Sequence, residues 1–232
     1  MSAFYIAPAG SRVYVASDTL CVRTDDHTPA TFGHKSFAVP HLNMIVAVSG
    51  FGAFMAEWNA QLKFNCTEMD IADLHEVAPK MMREAYHRFM LTATPAVGEA
   101  PGPGGTKVYH AGYSARCGKC VAYGYYSGDD FEGEEITSEY VQPISEEIQA
   151  VFTRDQDLVE RIVAFFERVY ELNRQSPPDE PVGIGVGGEV WLHTLVEGQI
   201  DTRRIHVYDD YEETAEAIAE NDWSALQSTK DV

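Results

Sequence analysis

Basic residues are scarce in this chain of 232 residues, where 17 lysines and arginines stand against 36 aspartates and glutamates. The formal net charge is −19 at pH 7, and no cluster of lysine or arginine offsets it locally. Such a surface repels the phosphates of nucleic acids and anionic lipid headgroups. We therefore expect neither nucleic acid nor a membrane as a partner, and we attribute the acidity to solubility or to a cytoplasm of high ionic strength.

Long apolar runs are also missing. No segment approaches the ~20 apolar residues that a membrane-spanning helix requires. The first residues carry neither the basic segment nor the long apolar segment of a secretory signal peptide. We therefore expect a cytoplasmic protein. Its hydrophobic fraction of 45% is typical of a globular chain with a sizeable core, and we expect a single domain over 1–232.

Cysteine is too sparse to build a disulfide framework or a zinc site. The four cysteines are Cys21, Cys66, Cys117 and Cys120. The last two form a C-x-x-C motif, but no second C-x-x-C or close histidine pair completes a tetrahedral zinc site. The motif lies between two strand-like runs, and Gly118-Lys119 is typical of a hairpin turn. We predict a turn with two incidental thiols; a redox role or a weak metal-binding role is the alternative.

Two cofactor signatures are absent as well. The Pro/Gly-rich loop from Thr94 to Thr106 is not followed by Gly-Lys-Ser/Thr, so it does not match a phosphate-binding loop. No Gly-rich turn follows the first predicted strand, so there is no dinucleotide-binding fingerprint. We predict that the protein uses no cofactor and no metal ion.

Hydrophobic periodicity predicts an α+β chain. Strand-like segments run over 3–7, 13–16, 35–39, 44–48, 107–113, 120–126, 182–186, 189–195 and 203–208. Helical spacing covers 51–63, 67–91, 157–172 and 209–226. The segment 136–144 is ambiguous. Runs of strands separated by helices predict two antiparallel sheets covered by helices rather than a βαβ arrangement.

Ser2 directly follows Met1, and methionine is normally removed before a residue as small as serine. The mature chain would then begin with Ser2, at the start of the first predicted strand. A hydroxyl and a free α-amine on one residue form a nucleophile that carries its own base. The alternative is an ordinary second residue without a chemical role.

Five stretches of the sequence resemble one family when they are taken together. They are Ser2-Ala-Phe-Tyr-Ile, Val-Tyr-Val-Ala-Ser-Asp18, Lys35-Ser-Phe-Ala-Val, Val-Ala-Val-Ser49-Gly50 and Val186-Gly187-Gly188. Their order and separations resemble those of proteasome-type peptidases, which are N-terminal-nucleophile (Ntn) hydrolases, and the chain would be a divergent member. The resemblance implies a four-layer αββα sandwich of two stacked antiparallel sheets flanked by helices.

The resemblance also implies roles for individual residues. Ser2 is the nucleophile, Asp18 orients and neutralises Lys35, and the Lys35 ammonium lowers the pKa of the Ser2 α-amine. Main-chain donors at Ser49-Gly50 stabilise the oxyanion. Taken singly, Asp18 is also explained as a turn acid, Lys35 as an edge charge and Ser49-Gly50 as a helix entry.

The sequence departs from the family pattern at several positions. Gly183 stands where the family has an aspartate, Val186 stands where it has a serine, and the predicted nucleophile is serine rather than threonine. His34 lies beside Lys35, and a shift of one residue would exchange their faces.

Three functions are compatible with this pattern. The first is a hydrolase that cleaves amide bonds in peptide or protein substrates. The second is a non-catalytic structural or assembly subunit of the same fold. The third is an unrelated α+β binding protein whose ligand lies near the Pro/Gly-rich loop. The first two imply a homo-oligomeric ring, whose size and unfoldase partner the sequence does not specify.

Overall fold

The computed structural model describes residues 2–23, 28–97, 105–151, 156–175 and 185–228. Within these ranges the chain forms twelve strands, five α-helices and two short 3-10 turns. The strands are β1 (Phe4–Ala9), β2 (Arg12–Asp18), β3 (Leu20–Val22), β4 (Pro29–Phe32), β5 (Ser36–Val39), β6 (Met44–Ser49), β7 (Lys107–Ser114), β8 (Lys119–Tyr126), β9 (Gly133–Glu135), β10 (Tyr140–Gln142), β11 (Glu189–Val196) and β12 (Gln199–Val207). The helices are α1 (Gly52–Asn65), α2 (Ile71–Val97), α3 (Glu146–Gln149), α4 (Leu158–Gln175) and α5 (Tyr211–Ser228).

The strands form three antiparallel sheets. The first sheet has the order β10-β1-β2-β11-β12, and the second has the order β5-β6-β7-β8-β9. The third sheet contains only β3 and β4. The predicted four-layer αββα sandwich of two sheets is therefore wrong, because the described residues form a β-rich α+β fold with three sheets.

The third sheet explains this error in physical terms. The sequence around Thr31 lacks the apolar alternation of a strand, and none of the side chains of β4 is fully buried. Its backbone nevertheless pairs with the three residues that follow Asp18 and Thr19. Helix α5 begins against this small sheet, with the Tyr211 ring 4.8 Å from that of Phe32.

The core consists of three clusters of buried side chains, which follow from the period-two alternation of the strands. Phe4 and Ile6 of β1 face the second sheet and pack with residues such as Ile45. The opposite face of β1, which includes Tyr5, packs with side chains of α4. A third cluster joins the second sheet to α1 and α2. Strands β1 and β6 therefore lie in the interior, and their ends bring polar residues into the core.

The helices follow their predicted apolar faces. In α4 the buried residues Ile162, Phe165, Phe166 and Val169 have the spacing i, i+3, i+4, i+7. Helix α2 continues through Pro79 and begins at Ile71, where the Asp70 carboxylate accepts a hydrogen bond from the main-chain amide of Ala72 at 2.8 Å. None of the helices in the described ranges is long and apolar enough to cross a membrane.

Two further sequence predictions concern the segment 182–186 and the C-x-x-C motif. The predicted strand over 182–186 lies partly outside the described residues, and its described part, Gly185 and Val186, is not in a strand. The C-x-x-C motif spans the turn between β7 and β8, and all four cysteines are free thiols.

Candidate functional site

A buried ion pair lies where β2 ends and β5 begins. Asp18 is the last residue of β2, and Lys35 immediately precedes β5. The Lys35 Nζ atom lies 2.8 Å from Oδ1 and 2.7 Å from Oδ2 of Asp18. The side chain of Asp18 is fully buried and that of Lys35 is 7% exposed. The pair therefore joins the edge strand of the second sheet to the middle strand of the first.

Main-chain groups complete this ion pair. Lys35 Nζ donates to the carbonyl of Gly185 at 3.1 Å, and the amides of Leu20 and Gly187 each donate to Asp18 Oδ2 at 3.2 Å. Burial raises the pKa of the Asp18 carboxyl above its ordinary value, and the Lys35 charge and the two amides oppose that rise. An ammonium has three N–H donors, and the two carboxylate oxygens of Asp18 and the carbonyl of Gly185 provide three acceptors. Lys35 thus acts on its surroundings through charge rather than through a further hydrogen bond.

Ser2 lies just before β1 and is half-buried. In the antiparallel ladder between β1 and β2, Phe4 is paired with Ser17. Continuing that ladder by two residues sets Ser2 beside Thr19, the residue after Asp18. The backbone of Ser2 is held by Gln142, whose Nε2 donates to the Ser2 carbonyl at 3.1 Å. The start of β1 is therefore adjacent in the sheet to the residue that holds Lys35.

Gln142 also contacts the predicted Ser49. Its Nε2 lies 3.3 Å from Ser49 Oγ, while its Oε1 accepts from Tyr109 Oη at 2.6 Å and from Lys107 Nζ at 3.0 Å. The orientation of this amide is determined, because an ammonium can only donate and the Gln142 oxygen must face it. The Gln142 NH₂ group consequently faces both Ser2 and Ser49. Gln142 itself is 3% exposed.

Gln142 was not among the predicted site residues. It lies in the segment 136–144, whose secondary structure is ambiguous from the sequence. No local signal identifies it, because its pairing partner in β1 is Phe4, far away in the sequence. A glutamine in a short strand becomes informative only when its neighbours in the sheet are known.

Ser49 and Gly50 form a tight turn between β6 and α1. Ser49 ends β6 and is 5% exposed. Gly50 has φ +88°, and a Cβ atom there would overlap the carbonyl oxygen of Gly105. Only glycine fits such a position. The turn brings main-chain groups of Ser49-Gly50 close to the segment that enters β7.

The described hydrogen bonds divide the predicted site residues into two groups. Asp18 is bonded to Lys35, and Ser2 is connected to Ser49 through Gln142. Within the described part of the chain, no hydrogen bond joins one group to the other. The first group is a buried ion pair at the end of β2, and the second fixes the backbone of Ser2.

The structure resolves the ambiguity between His34 and Lys35. The His34 ring packs edge-on against Trp191, with ring centroids 5.2 Å apart, while Lys35 contacts Asp18. Val186 is buried among the apolar side chains near α4, so no hydroxyl stands at that position. Gly183 lies outside the described residues. In the part of the chain that the structure describes, no group of three or more His, Cys, Asp or Glu side chains is arranged to hold a metal ion.

A second polar group, buried except at Thr202, runs beside the ion pair, and we call it the hydroxyl–imidazole chain. Ser17 Oγ lies 2.7 Å from Ser36 Oγ, which lies 3.0 Å from His193 Nε2. His193 Nδ1 lies 2.8 Å from Thr202 Oγ1. Burial lowers the pKa of His193 to about 4, so its ring is neutral at pH 7. This chain connects β2, β5, β11 and β12 without a net charge.

Comparison with known proteins gives a likeness in structure but none in sequence. No family model matches the chain, and no curated protein matches it by sequence. The Anbu (Gly-1) mutant from Hyphomicrobium sp. strain MC1 is similar, with a TM-score of 0.60 and 12% identity over 99% of this chain and 100% of that one. Anbu from Yersinia bercovieri, described as an ancestral beta-subunit, has a TM-score of 0.59 and 13% identity over 100% of this chain and 98% of that one.

These comparisons correct the sequence-based assignment. The predicted membership of the proteasome-type peptidase family is wrong. No family model matches the chain, and its likeness to the Anbu structures, at 12–13% identity, is one of fold alone. Five short motifs over a few dozen residues were too little to identify a family. What the comparisons establish is that this chain shares its fold with the two Anbu structures over nearly its whole length.

Proposed function

We propose that this protein is an N-terminal-serine amide hydrolase that cleaves peptide bonds. Removal of Met1 makes the Ser2 hydroxyl the nucleophile and the Ser2 α-amine its base. The observation that carries this proposal is the buried Asp18–Lys35 ion pair beside the start of β1. A buried ion pair is a poor source of stability, since its desolvation offsets most of its attraction. Its position next to a possible nucleophile therefore favours a chemical role.

The reaction uses groups that lie at this corner of the fold. The α-amine takes the proton of Ser2 Oγ as that oxygen attacks the substrate carbonyl, and main-chain amides at Ser49-Gly50 stabilise the oxyanion. The resulting ammonium returns the proton to the departing amine, and an ester on Ser2 remains. Water, deprotonated by the same amine, then hydrolyses the ester and releases the carboxylic acid.

Lys35 and Gln142 have supporting roles in this reaction. A positive charge near an α-amine lowers the pKa of that amine, so that a larger fraction is neutral and able to accept a proton. Lys35 provides this charge while Asp18 and Gly185 occupy its protons. Gln142 holds the Ser2 carbonyl and thereby limits the positions that the Ser2 amine and hydroxyl adopt.

The proposal also covers organisation and location. We place the protein in the cytoplasm as a single domain that associates into a homo-oligomeric ring. The likeness to Anbu, described as a subunit, supports the association. Phe64 at the end of α1 is 75% exposed and Leu91 on α2 is 65% exposed, so both helices have apolar surface available for packing between copies.

A non-catalytic structural subunit is the second candidate. The observation that favours it is Val186, a buried aliphatic side chain at the position where proteasome-type peptidases have a serine. The two candidates differ in the state of one bond, the peptide bond between Met1 and Ser2.

The test is the intact mass of the protein, followed by covalent labelling. We expect a mass that lacks one methionine residue, and a single adduct on Ser2 after incubation with a β-lactone that acylates nucleophilic hydroxyls. Ser2→Ala should abolish the adduct, and Ser11→Ala, an exposed serine in the turn between β1 and β2, should leave it unchanged. Retention of Met1, or an adduct that persists in Ser2→Ala, would contradict the enzyme and leave the structural subunit.

A further inference from the structure

A cavity of about 590 Å³ is lined by three residues that contact Gln142. Its lining includes Lys107, Tyr109 and Tyr140, and all three donate hydrogen bonds to Gln142 Oε1. The NH₂ group of the same amide contacts the Ser2 carbonyl. One side-chain amide therefore connects three residues of the cavity lining to the backbone of the proposed nucleophile.

The cavity is strongly acidic. Five carboxylates line it, and Lys107 is the one basic side chain in its lining. The carboxylates belong to Asp129, Glu132, Glu134, Glu135 and Glu139. Glu135 lies 3.7 Å from Lys119 and Glu139 lies 3.7 Å from Arg161. The remaining three carboxylates have no ion-pair partner within the described residues, so their charge is available to a ligand.

The positive charge of Lys107 is already engaged. Its Nζ donates to Gln142 and lies 5.4 Å from the centroid of the Tyr126 ring. Burial lowers the pKa of Lys107, and the Asp129 charge opposes that change. The rest of the lining combines tyrosine rings with Gly124, Ile136, Thr137 and Ser138. Aromatic rings beside carboxylates are a setting that binds ammonium and guanidinium groups.

We propose that this cavity binds a lysine or arginine side chain of an extended peptide substrate. The inference rests on the proposed function, since the peptide would then present a nearby amide bond to Ser2. A volume of about 590 Å³ lies in the range of small-ligand sites and accommodates one long basic side chain with part of its backbone. The unpaired carboxylates of Glu132 and Glu134 attract the cation, and the half-buried ring of Tyr140 packs against its aliphatic part.

The test measures peptide binding to the Ser2→Ala protein, so that no turnover occurs. The probe is a fluorescein-labelled, end-blocked peptide of alanines with one central lysine, followed by anisotropy. We expect at least about tenfold tighter binding than for the same peptide with Nε-acetyl-lysine, because acetylation removes the charge. The double variant Glu132→Gln with Glu134→Gln should lose about tenfold in affinity for the lysine peptide.

The matched control is Glu212→Gln with Glu213→Gln, two exposed carboxylates in the first turn of α5 that do not line the cavity. It removes the same charge from the protein and should bind the lysine peptide as the Ser2→Ala protein does. Equal losses in both double variants would overturn the proposal, because the attraction would then come from the overall negative charge. Equal affinity for the lysine and acetyl-lysine peptides, or no binding of either, would also overturn it.

A second measurement compares the binding of spermine with that of the lysine peptide, since a free polyamine presents the same ammonium groups. Tighter binding of the lysine peptide than of spermine supports a peptide site, and the reverse would overturn it. The outcome is separable from that of the proposed function. Labelling of Ser2 without charge-dependent binding removes the inference alone, whereas charge-dependent binding without labelling removes the hydrolase alone.

Discussion

Two buried polar contacts cross from β2 to β5 at neighbouring residues, and they differ in charge. Ser17 meets Ser36 at 2.7 Å in the hydroxyl–imidazole chain, while Asp18 meets Lys35 at 2.7 Å in the ion pair. Neutral hydroxyls lose little on burial once they are hydrogen-bonded, whereas each buried ion loses several kcal/mol of hydration. The neutral contact already connects the two strands. The charged contact is therefore not needed for that purpose, which favours the role in chemistry that we propose.

Breaking the ion pair should have the largest effect. We expect Lys35→Met to lower the free energy of unfolding by about 3–5 kcal/mol, because it leaves the Asp18 carboxylate buried without its partner. Urea denaturation followed by circular dichroism measures this loss. A Lys35→Met protein as stable as the unsubstituted chain would contradict the description of a tightly coupled pair.

The control removes both charges. Asp18→Asn with Lys35→Met should recover most of the lost stability, since no unpaired ion remains in the core. We expect β-lactone labelling of Ser2 to be lost in Lys35→Met and to stay lost in this double variant, because both lack the positive charge near the amine. Recovery of both stability and labelling would show that the ion pair has no chemical role.

Breaking the hydroxyl–imidazole chain should have a smaller effect, and one on stability alone. His193→Ala removes two hydrogen bonds and leaves Ser36 and Thr202 without a partner from His193, so we expect a loss of about 2–3 kcal/mol in urea denaturation. Ser2 labelling of the folded fraction should be unchanged. His87→Ala, at an exposed position on α2, should change stability by less than about 0.5 kcal/mol. Lost labelling in a folded His193→Ala protein would place His193 in the chemistry.

A further effect, which needs no substitution, is a dependence of stability on pH. Burial lowers the pKa of His193 to about 4 and that of His110 to about 3. Between about pH 6.5 and pH 4 the unfolded chain binds protons at these residues and the folded chain does not. The free energy of unfolding should therefore fall with decreasing pH, by up to about 1.4 kcal/mol per pH unit for each histidine.

Urea midpoints at pH 7 and pH 5 measure this slope. His193→Gln should reduce it, because glutamine does not titrate, while His87→Gln, which alters an exposed histidine, should leave it unchanged. The same slope in His193→Gln and in the unsubstituted chain would mean that His193 is not the source of the pH dependence.

Much of the fold was predictable from local pattern. The alternation in β1 and β2, the apolar run of β6 and the helical spacing of Phe165 and Val169 in α4 correspond to elements of the structure. Such elements are predictable because a side chain's burial repeats with the period of its own backbone. The contact of Asp18 with Lys35 is observed as the resemblance implied, and its role in catalysis stays a prediction.

The third sheet and Gln142 were not predictable by the same means. The strand that contains Thr31 is only 4 residues long, and its sequence, Pro-Ala-Thr-Phe, has no clear alternation of apolar and polar residues. Gln142 is 140 residues from Ser2 and 93 from Ser49 in the sequence. No periodicity extends over such separations.

The sequence by itself determined the strongly acidic surface, the alternating core strands and the glycine that the turn after β6 requires. These depend on residue type and on backbone geometry within a few positions. The tertiary structure alone decided that Ser17 and Ser36 share a neutral contact beside the charged one, that Gln142 holds Ser2, and that an acidic cavity lies behind it. These depend on which strands become neighbours, and that is set by burying apolar faces of the whole chain at once.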